Sequence, residues 1–364
     1  IEPFSLRKHI IRGYAMRKLL LGTTALAAAA TLSANAALAD VSISGYYEWK
    51  YTSTSSDITA NDGTTFGNDS EIAFKFTNKT DSGLDLGLTV EMYSDAGDTD
   101  IDEASLSIAG GFGKVVLGQN DGVGDNYGVA STDLPAEEIY AGIGTANDMV
   151  IINADINGLS GDANKISYHL PAMGGLTAGV SFMNSGTAGS TDSTEFGAKY
   201  SMEAGGAAVT IGYATGTTEA ASGAQDTDTS VLGVKVSSGN ITAAVSQSTY
   251  EAAARASVAG TASTNTAARV APITAMDQAD EESLGAAVSF KVNDATTVTL
   301  HTAETDDGQK TEEYSNSGIE IKYTIASGLT AFINVEDYDY KAGNSTGNTN
   351  DSGTASKLTI KATF

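Results

Sequence analysis

The chain lacks cysteine altogether, is poor in basic side chains and contains no long apolar run in its main part. No disulfide can therefore stabilise it, which favours a large closed sheet over a small disulfide-stapled domain. Its 20 Lys and Arg residues face 45 Asp and Glu residues, and the net charge of −25 excludes electrostatic binding to nucleic acid. After residue 39 no apolar run approaches the roughly 18 residues of a membrane-spanning helix. Such a chain can span a membrane only as a β-barrel.

The first 39 residues have the composition of an export segment. From Met16, the sequence shows a charged start (Arg17 and Lys18), an apolar stretch and the small-residue cleavage box Ala37-Leu38-Ala39. We expect residues 1–15 to be an untranslated upstream extension, residues 16–39 to be a secretory signal peptide and residues 40–364 to form the mature protein.

From Asp40 onward the hydrophobic pattern has a period of two, which is typical of strands. In 41–51, for example, Val41, Ile43, Tyr47 and Trp49 alternate with polar or small residues. The pattern predicts sixteen strands, at 41–51, 70–78, 84–93, 101–109, 113–119, 164–170, 176–183, 193–201, 207–215, 229–236, 240–248, 283–291, 295–303, 316–324, 328–337 and 355–364. We therefore predict an all-β fold, a 16-stranded antiparallel transmembrane β-barrel.

The connections between these strands alternate between long and short. Tight turns such as TDSG (80–83) and SSG (237–239) are followed by loops as long as 249–282. An even number of strands with short turns at one rim and long loops at the other is typical of outer-membrane barrels. The alternative is a soluble or surface-layer β protein, whose strands would also alternate.

The longest connection, 120–163, is acidic and contains no Lys or Arg. Loops of this length inside a compact domain are usually functional, and we interpret this one as folding into the pore and narrowing it. The predicted acidic side of this constriction consists of Asp121, Asp125, Asp133, Glu137 and Glu138.

Most remaining basic residues lie on strands, where the alternation places them on the inward face. The predicted basic pore wall consists of Lys75, Lys114, Lys165, Lys199, Lys235, Lys291, Lys322 and Lys361. An equally good interpretation is that these lysines extend to the periplasmic interface or pair with glutamates of neighbouring strands.

Five stretches of the sequence together resemble one protein family. These stretches are the segment 16–39, the strand VSISGYYEWKY (41–51), GFGKVVLGQNDG (111–122), DNYG (125–128) and the terminal KLTIKATF. They are similar to the general porins of Gram-negative outer membranes, particularly those of alphaproteobacteria. The resemblance implies a trimeric passive channel whose third long loop forms the constriction, and it implies that Phe364 is the signal for barrel assembly. Family members often carry a basic residue where this chain has Gln119; Lys75, Lys114 and Lys165 are candidates to replace it.

The expected function is that of a bacterial outer-membrane porin for passive diffusion of small hydrophilic solutes and ions, with mild cation selectivity. The expected partners are two further copies of the chain in a homotrimer, outer-membrane lipid, lipopolysaccharide and the solutes. No catalysis and no cofactor are needed, although divalent cations could bind the acidic loops. His169 and His301 are too few for a zinc site. The alternatives are a substrate-specific outer-membrane channel and a non-conducting acidic surface-layer protein.

Overall fold

The computed structural model describes residues 40–57, 62–95, 98–131, 134–135, 161–184, 192–219, 226–251, 280–306, 313–341 and 350–364. The expected upstream extension and signal peptide, residues 1–39, lie outside the described residues. Among the described residues, no helix is both long and apolar enough to cross a membrane.

Sixteen strands make up almost all of the described chain. The first eight are β1 (Asp40–Ser56), β2 (Gly63–Lys79), β3 (Asp85–Asp95), β4 (Asp98–Gly110), β5 (Gly113–Gln119), β6 (Asn164–His169), β7 (Leu176–Met183) and β8 (Ser193–Ala204). The second eight are β9 (Ala207–Thr218), β10 (Thr227–Ser238), β11 (Ile241–Glu251), β12 (Asp280–Lys291), β13 (Thr296–Asp306), β14 (Glu313–Ala326), β15 (Leu329–Lys341) and β16 (Asp351–Thr363). A single short helix, α1 (Val123–Tyr127), follows β5 within the described residues.

The strands form one closed barrel in which each strand pairs with its sequence neighbours. Closure comes from antiparallel pairing of β1 with β16, for example Trp49 opposite Ile360. Closure leaves no sheet edge with unpaired backbone groups, which is the condition for strands to cross a bilayer. The predicted 16-stranded antiparallel barrel is confirmed.

Sequence periodicity located every strand but underestimated most of them at the long-loop rim. Strand β2 begins at Gly63 and β15 runs on to Lys341, beyond the predicted segments 70–78 and 328–337. The added residues are mostly polar or small, as in Gly63–Asp69, where Phe66 is the only apolar side chain. Outside the apolar band of a membrane an outward residue need not be apolar, while backbone pairing continues. The alternation therefore ends before the strand does.

At the opposite rim the strands are joined by tight turns whose residues match their geometry. The connection between β8 and β9 is the two-residue turn Gly205-Gly206, with φ angles of +60° and +83°. Two positive φ angles characterise the hairpin turn whose twist suits antiparallel strands, and glycine adopts them without steric cost.

Register pairing places alternate side chains inside and outside the barrel. On β1 the outward side chains include the exposed Ile43, Tyr47 and Trp49, whereas the inward ones include Glu48, which is buried. Exposed apolar side chains recur on the outer face of the other strands. The outside therefore presents an apolar band and the inside a polar lumen, as lipid outside and water inside require.

Candidate functional site

The chain that follows β5 turns into the lumen and runs along the inner wall. We call residues 122–131 the inward segment; its helix α1 contacts β7, β8 and β9. Val123, Val129 and Ala130 are buried within the barrel. A helix of only five residues is marginal in isolation. Its stability must therefore come from the wall on which it lies.

Glu195 of β8 binds the N-terminal end of the inward segment. The Glu195 carboxylate accepts a hydrogen bond from the Gly124 N–H at 3.1 Å and another from the Ser181 hydroxyl at 2.9 Å. The Ser181 hydroxyl oxygen in turn accepts a bond from the Val123 N–H at 3.3 Å. The first N–H groups of a helix have no partner within it. The wall supplies those partners here, and a carboxylate also suits the positive end of the helix.

Further along, three contacts tie the inward segment to the wall. The hydroxyl of Tyr127 lies 2.8 Å from Nδ1 of His169 on β6, and the Lys199 ammonium donates to the Asn126 carbonyl at 3.1 Å. The Ser131 N–H donates to the Ser246 hydroxyl on β11 at 2.8 Å. Hydrogen bonds thus join the segment to the wall along its length, from Glu195 on β8 to Ser246 on β11.

Between these ties the inward segment lies over glycines. Gly179, Gly197, Gly212 and Gly233 occupy the lumen faces of the four successive strands β7 to β10, and we call them the glycine row. A Cβ atom built on any of the four would approach Tyr127 or Val129 to 2.8 Å or less. The segment therefore touches the backbone of the wall directly.

Of the five predicted acidic constriction residues, the structure describes two. Asp121 precedes the inward segment and Asp125 lies on α1; both side chains are exposed to the lumen. Desolvation inside the barrel, and then the charge of Asp162, raise the pKa of Asp121, while Lys165 opposes this shift. Asp133, Glu137 and Glu138 lie outside the described residues.

The structure brings Asp121 together with two of the predicted lysines. A cavity of about 340 Å³ between strands β2 to β6 and the inward segment is lined by Lys75, Lys114, Glu91, Glu103 and Asp121, among others. The Lys75 ammonium lies 3.8 Å from the Glu91 carboxylate. Opposite charges therefore line the same water-accessible space next to the inward segment.

The other predicted lysines also occupy lumen-facing register positions, at other places around the wall. Lys165 is buried and donates to the Gly161 carbonyl. Lys291 pairs with Asp294 at 2.9 Å in the turn after β12, and this ion pair lowers the pKa of Asp294. Lys322 lies over the Phe332 ring. Lys361 and Lys235 lie on β16 and β10, towards the short-turn rim.

Lys361 belongs to a charge cluster that spans β16, β1 and β2. Its ammonium contacts Glu48 at 2.5 Å, and Lys50 contacts the same Glu48 at 2.9 Å and Asp69 at 3.3 Å. Two lysines and two acids thus neutralise each other there. Phe364 follows β16 at the short-turn rim, with its main chain bonded to Gly45 and 84% of its surface exposed.

Three carboxylates are close enough to share one cation. Glu103, Asp121 and Asp162 place one oxygen each within 4.8 Å of the others. The Glu103 carboxylate also accepts a hydrogen bond from the Asp121 N–H at 3.0 Å. Carboxylate oxygens are ligands that suit hard cations.

The two histidines considered for a metal site, His169 and His301, lie on different strands, β6 and β13. The His169 ring contacts the Tyr127 hydroxyl.

Sequence reasoning missed the wall residues that hold the inward segment. Glu195 and Ser181 appear in the sequence as ordinary inward polar residues, and the glycine row as ordinary small ones. Only the register, in which Ser181 lies opposite Glu195 and Gly179 opposite Gly197, reveals that they form one surface. The alternation shows that these side chains face inward, but it does not show that they lie at the same height along the barrel.

The sequence was compared with protein families and with curated protein sequences. The profile of the Gram-negative porin family matches residues 22–343. Among curated protein sequences, none matches the chain significantly.

Solved structures of similar fold cover nearly the whole chain. The anion-selective porin from Comamonas acidovorans shares 18% identity with a TM-score of 0.61, covering 90% of this chain and 100% of that one. OmpT, an outer membrane protein of Vibrio cholerae solved in a trimer form, shares 15% identity with a TM-score of 0.61, covering 90% and 99%. A mutant of Rh. blastica porin shares 15% identity with a TM-score of 0.58, covering 89% and 100%. At these identities the likeness concerns the fold.

Proposed function

Because the chain belongs to the family of Gram-negative porins, we propose that its barrel is a water-filled outer-membrane channel for passive diffusion of small hydrophilic solutes and ions, with a preference for cations. The observation that carries the proposal is the inward segment, which is bonded to the lumen wall from Glu195 to Ser246 beside a cavity lined by charges. A narrowing lined by charged side chains selects solutes by width and by charge. The proposal assigns no catalytic residue.

The preference for cations follows from the balance of charges near the inward segment. Glu91, Glu103, Asp121 and Asp162 gather there, and Asp125 is exposed on α1. A carboxylate about 8 Å from a permeating ion contributes about 0.5 kcal/mol in water before screening. That energy changes the local cation concentration roughly twofold for each charge, and salt weakens it because the Debye length is about 8 Å at physiological ionic strength.

The lysines on the lumen face favour anions and are the strongest counter-argument. Several of them are compensated, however: Lys75 by Glu91, Lys291 by Asp294 and Lys361 by Glu48. The Comamonas porin shows that an anion-selective channel can have a similar barrel. Selectivity therefore depends on the charges of the lumen and not on the fold.

Assembly completes the proposal. The trimer form of OmpT supports a homotrimer for this chain, embedded in outer-membrane lipid and lipopolysaccharide. Phe364, exposed at the short-turn rim, remains the proposed assembly signal. Divalent cations at the acidic loops act in this proposal as exchangeable counter-ions and not as a cofactor.

The test is the reversal potential of the channel in a planar bilayer under a KCl gradient. We expect conductance steps in groups of three and a reversal potential that indicates cation preference. Substitution of Asp121→Asn together with Asp125→Asn should shift that potential towards zero. The matched control is Asp81→Asn, which removes the same kind of charge from an exposed turn at the short-turn rim. An anion-favouring potential in the unmodified protein would show that the assigned selectivity is wrong, and absence of conductance would end the channel proposal.

A further inference from the structure

We propose that the glycine row sets the clearance of the pore: Gly179, Gly197, Gly212 and Gly233 fix how closely the inward segment lies against the wall, and hence the size of solute that passes. This inference rests on the proposed channel function. It assigns size selectivity to wall positions that carry no side chain at all.

The first step is that the four glycines match the path of the inward segment strand by strand. Cβ atoms built on Gly179 and Gly197 would lie 2.8 and 2.7 Å from Tyr127, and one on Gly212 would lie 2.5 Å from Cγ2 of Val129. A Cβ on Gly233 would overlap the Val129 carbonyl oxygen. Real Cβ contacts are essentially never this short. Any side chain at these positions must push the segment away from the wall or be pushed aside itself.

The second step is that backbone conformation does not require glycine there. At Gly197 and Gly212 every close contact of a built Cβ is with the inward segment, whereas at Gly179 the Tyr168 carbonyl oxygen of the wall also lies 2.9 Å away. None of the four has a positive φ angle, in contrast to Gly205 in its turn. In a strand interior glycine is less favourable than alanine, because it loses more conformational freedom on folding. The absence of a side chain therefore serves contact with the inward segment and not backbone geometry.

The third step is a contrast with other glycines on the lumen face. The space over Gly318 is filled by the His301 ring from the neighbouring strand. A Cβ on Gly353 would meet the Ser55 main chain and the Tyr338 hydroxyl of the two strands beside it. At Gly67 the nearest atom to a built Cβ is 3.9 Å away, an ordinary contact distance. Within the described residues, the glycine row is where lumen glycines are covered by the inward segment.

The geometry gives the direction of the effect. To reach an ordinary van der Waals distance from a Cβ at position 212, Val129 must retreat by about 1 Å. The wall behind the glycine is a paired sheet, whereas the segment faces the water-filled lumen. The segment will therefore move into the lumen, which narrows the pore on that side.

The experiment compares Gly233→Ala and Gly212→Ala with the control Gly67→Ala in protein purified from outer membranes. Heat-modifiable gel mobility reports folding. Single-channel conductance and the entry of neutral sugars of increasing size into liposomes report clearance. We expect both row variants to fold, to conduct less than the unmodified channel and to exclude sugars that it admits, while Gly67→Ala matches the unmodified channel.

The outcomes separate this inference from the function on which it rests. If the unmodified protein does not conduct, the channel proposal fails. If it conducts and the folded row variants keep its conductance and sugar limit, or exceed them, the inference fails alone. Should Gly233→Ala not fold, Gly212→Ala decides. Lower conductance and a smaller sugar limit in the folded variant support the inference, and unchanged or higher values overturn it.

Discussion

The tie between Glu195 and the inward segment makes a quantitative prediction for Glu195→Ala. This carboxylate accepts hydrogen bonds from Gly124 and Ser181 and is 1% exposed. A hydrogen bond to a charged group contributes about 1.5–3 kcal/mol net. The Ser181 bond joins two wall strands and persists when the segment undocks, so only the Gly124 bond counts toward docking. Its loss should destabilise the docked state by about 1.5–3 kcal/mol. Because 1.4 kcal/mol corresponds to a factor of ten, the undocked population should rise about 10- to 100-fold.

Thiol labelling can measure that population, since the chain has no cysteine of its own. Ala130 lies on the inward segment and is 1% exposed, so Ala130→Cys adds a single small reporter that reacts only when the segment leaves the wall. Where opening and closing are fast compared with labelling, the rate follows the open population. We expect the Ala130→Cys thiol to react about 10- to 100-fold faster in the Glu195→Ala background.

The control is Glu203→Ala, a change of the same kind on the same strand but at an exposed position near the short-turn rim. It should leave the labelling rate of Ala130→Cys unchanged. If Glu195→Ala and Glu203→Ala give equal rates, the segment is not held by the carboxylate. The docking must then come from its other hydrogen bonds to the wall and from its apolar contacts.

Three further predictions concern single side chains. Since desolvation raises the pKa of Asp121, the cation preference of the channel should begin to fall at a higher pH than it would for an ordinary aspartate. The folded state binds this proton more tightly than the unfolded state does. The stability that this group contributes is therefore greatest at acid pH and is lost as the pH rises through the raised pKa. Reversal potentials measured from neutral to acid pH, with and without Asp121→Asn, check this. Within the described chain neither oxygen of the Glu336 carboxylate, 1% exposed, has a hydrogen-bond partner, whereas the equally buried Glu320 accepts one from an asparagine. Glu336→Met, which removes both unpaired atoms, should therefore stabilise the barrel by about 1–3 kcal/mol. Glu320→Met should not, because it removes the acceptor of that hydrogen bond; heat-modifiable gel mobility compares the two. Finally, Tyr127→Phe removes the hydroxyl next to His169 and should weaken docking by about 1 kcal/mol, raising the labelling rate of the cysteine reporter about fivefold.

The barrel could be predicted from the sequence because each strand carries its own evidence. In 84–93 the alternation of leucines with polar residues fixes both the strand and its outward face. The long loop 120–163 is recognisable by its length and acidity alone. What the alternation does not give is where strands continue past the membrane, as β2 does at Gly63–Asp69, because nearly all residues there are polar or small.

The inner surface could be predicted only in part, because its residues act in groups defined by register. The lysines were placed on the inward face by parity, yet the partners of Lys75 and Lys361, the acids Glu91 and Glu48, come from neighbouring strands. Register depends on turn lengths and strand offsets, and one residue of slip would turn each side chain to the opposite face. Sequence alone therefore gives the composition of the lumen but not its pairs.

Glycine illustrates how the two kinds of information combine. In a strand it reads as a weakness, since it packs nothing and favours disorder. At Gly205 and Gly206 the positive φ angles account for it. At Gly212 and Gly233 the backbone is ordinary, so the reason must lie in what occupies the vacant space: the Val129 side chain over Gly212 and the Val129 carbonyl over Gly233. An inward glycine with an ordinary strand backbone is thus evidence of a neighbour resting on it, and in a barrel with an inward-folded loop that neighbour need not belong to the wall.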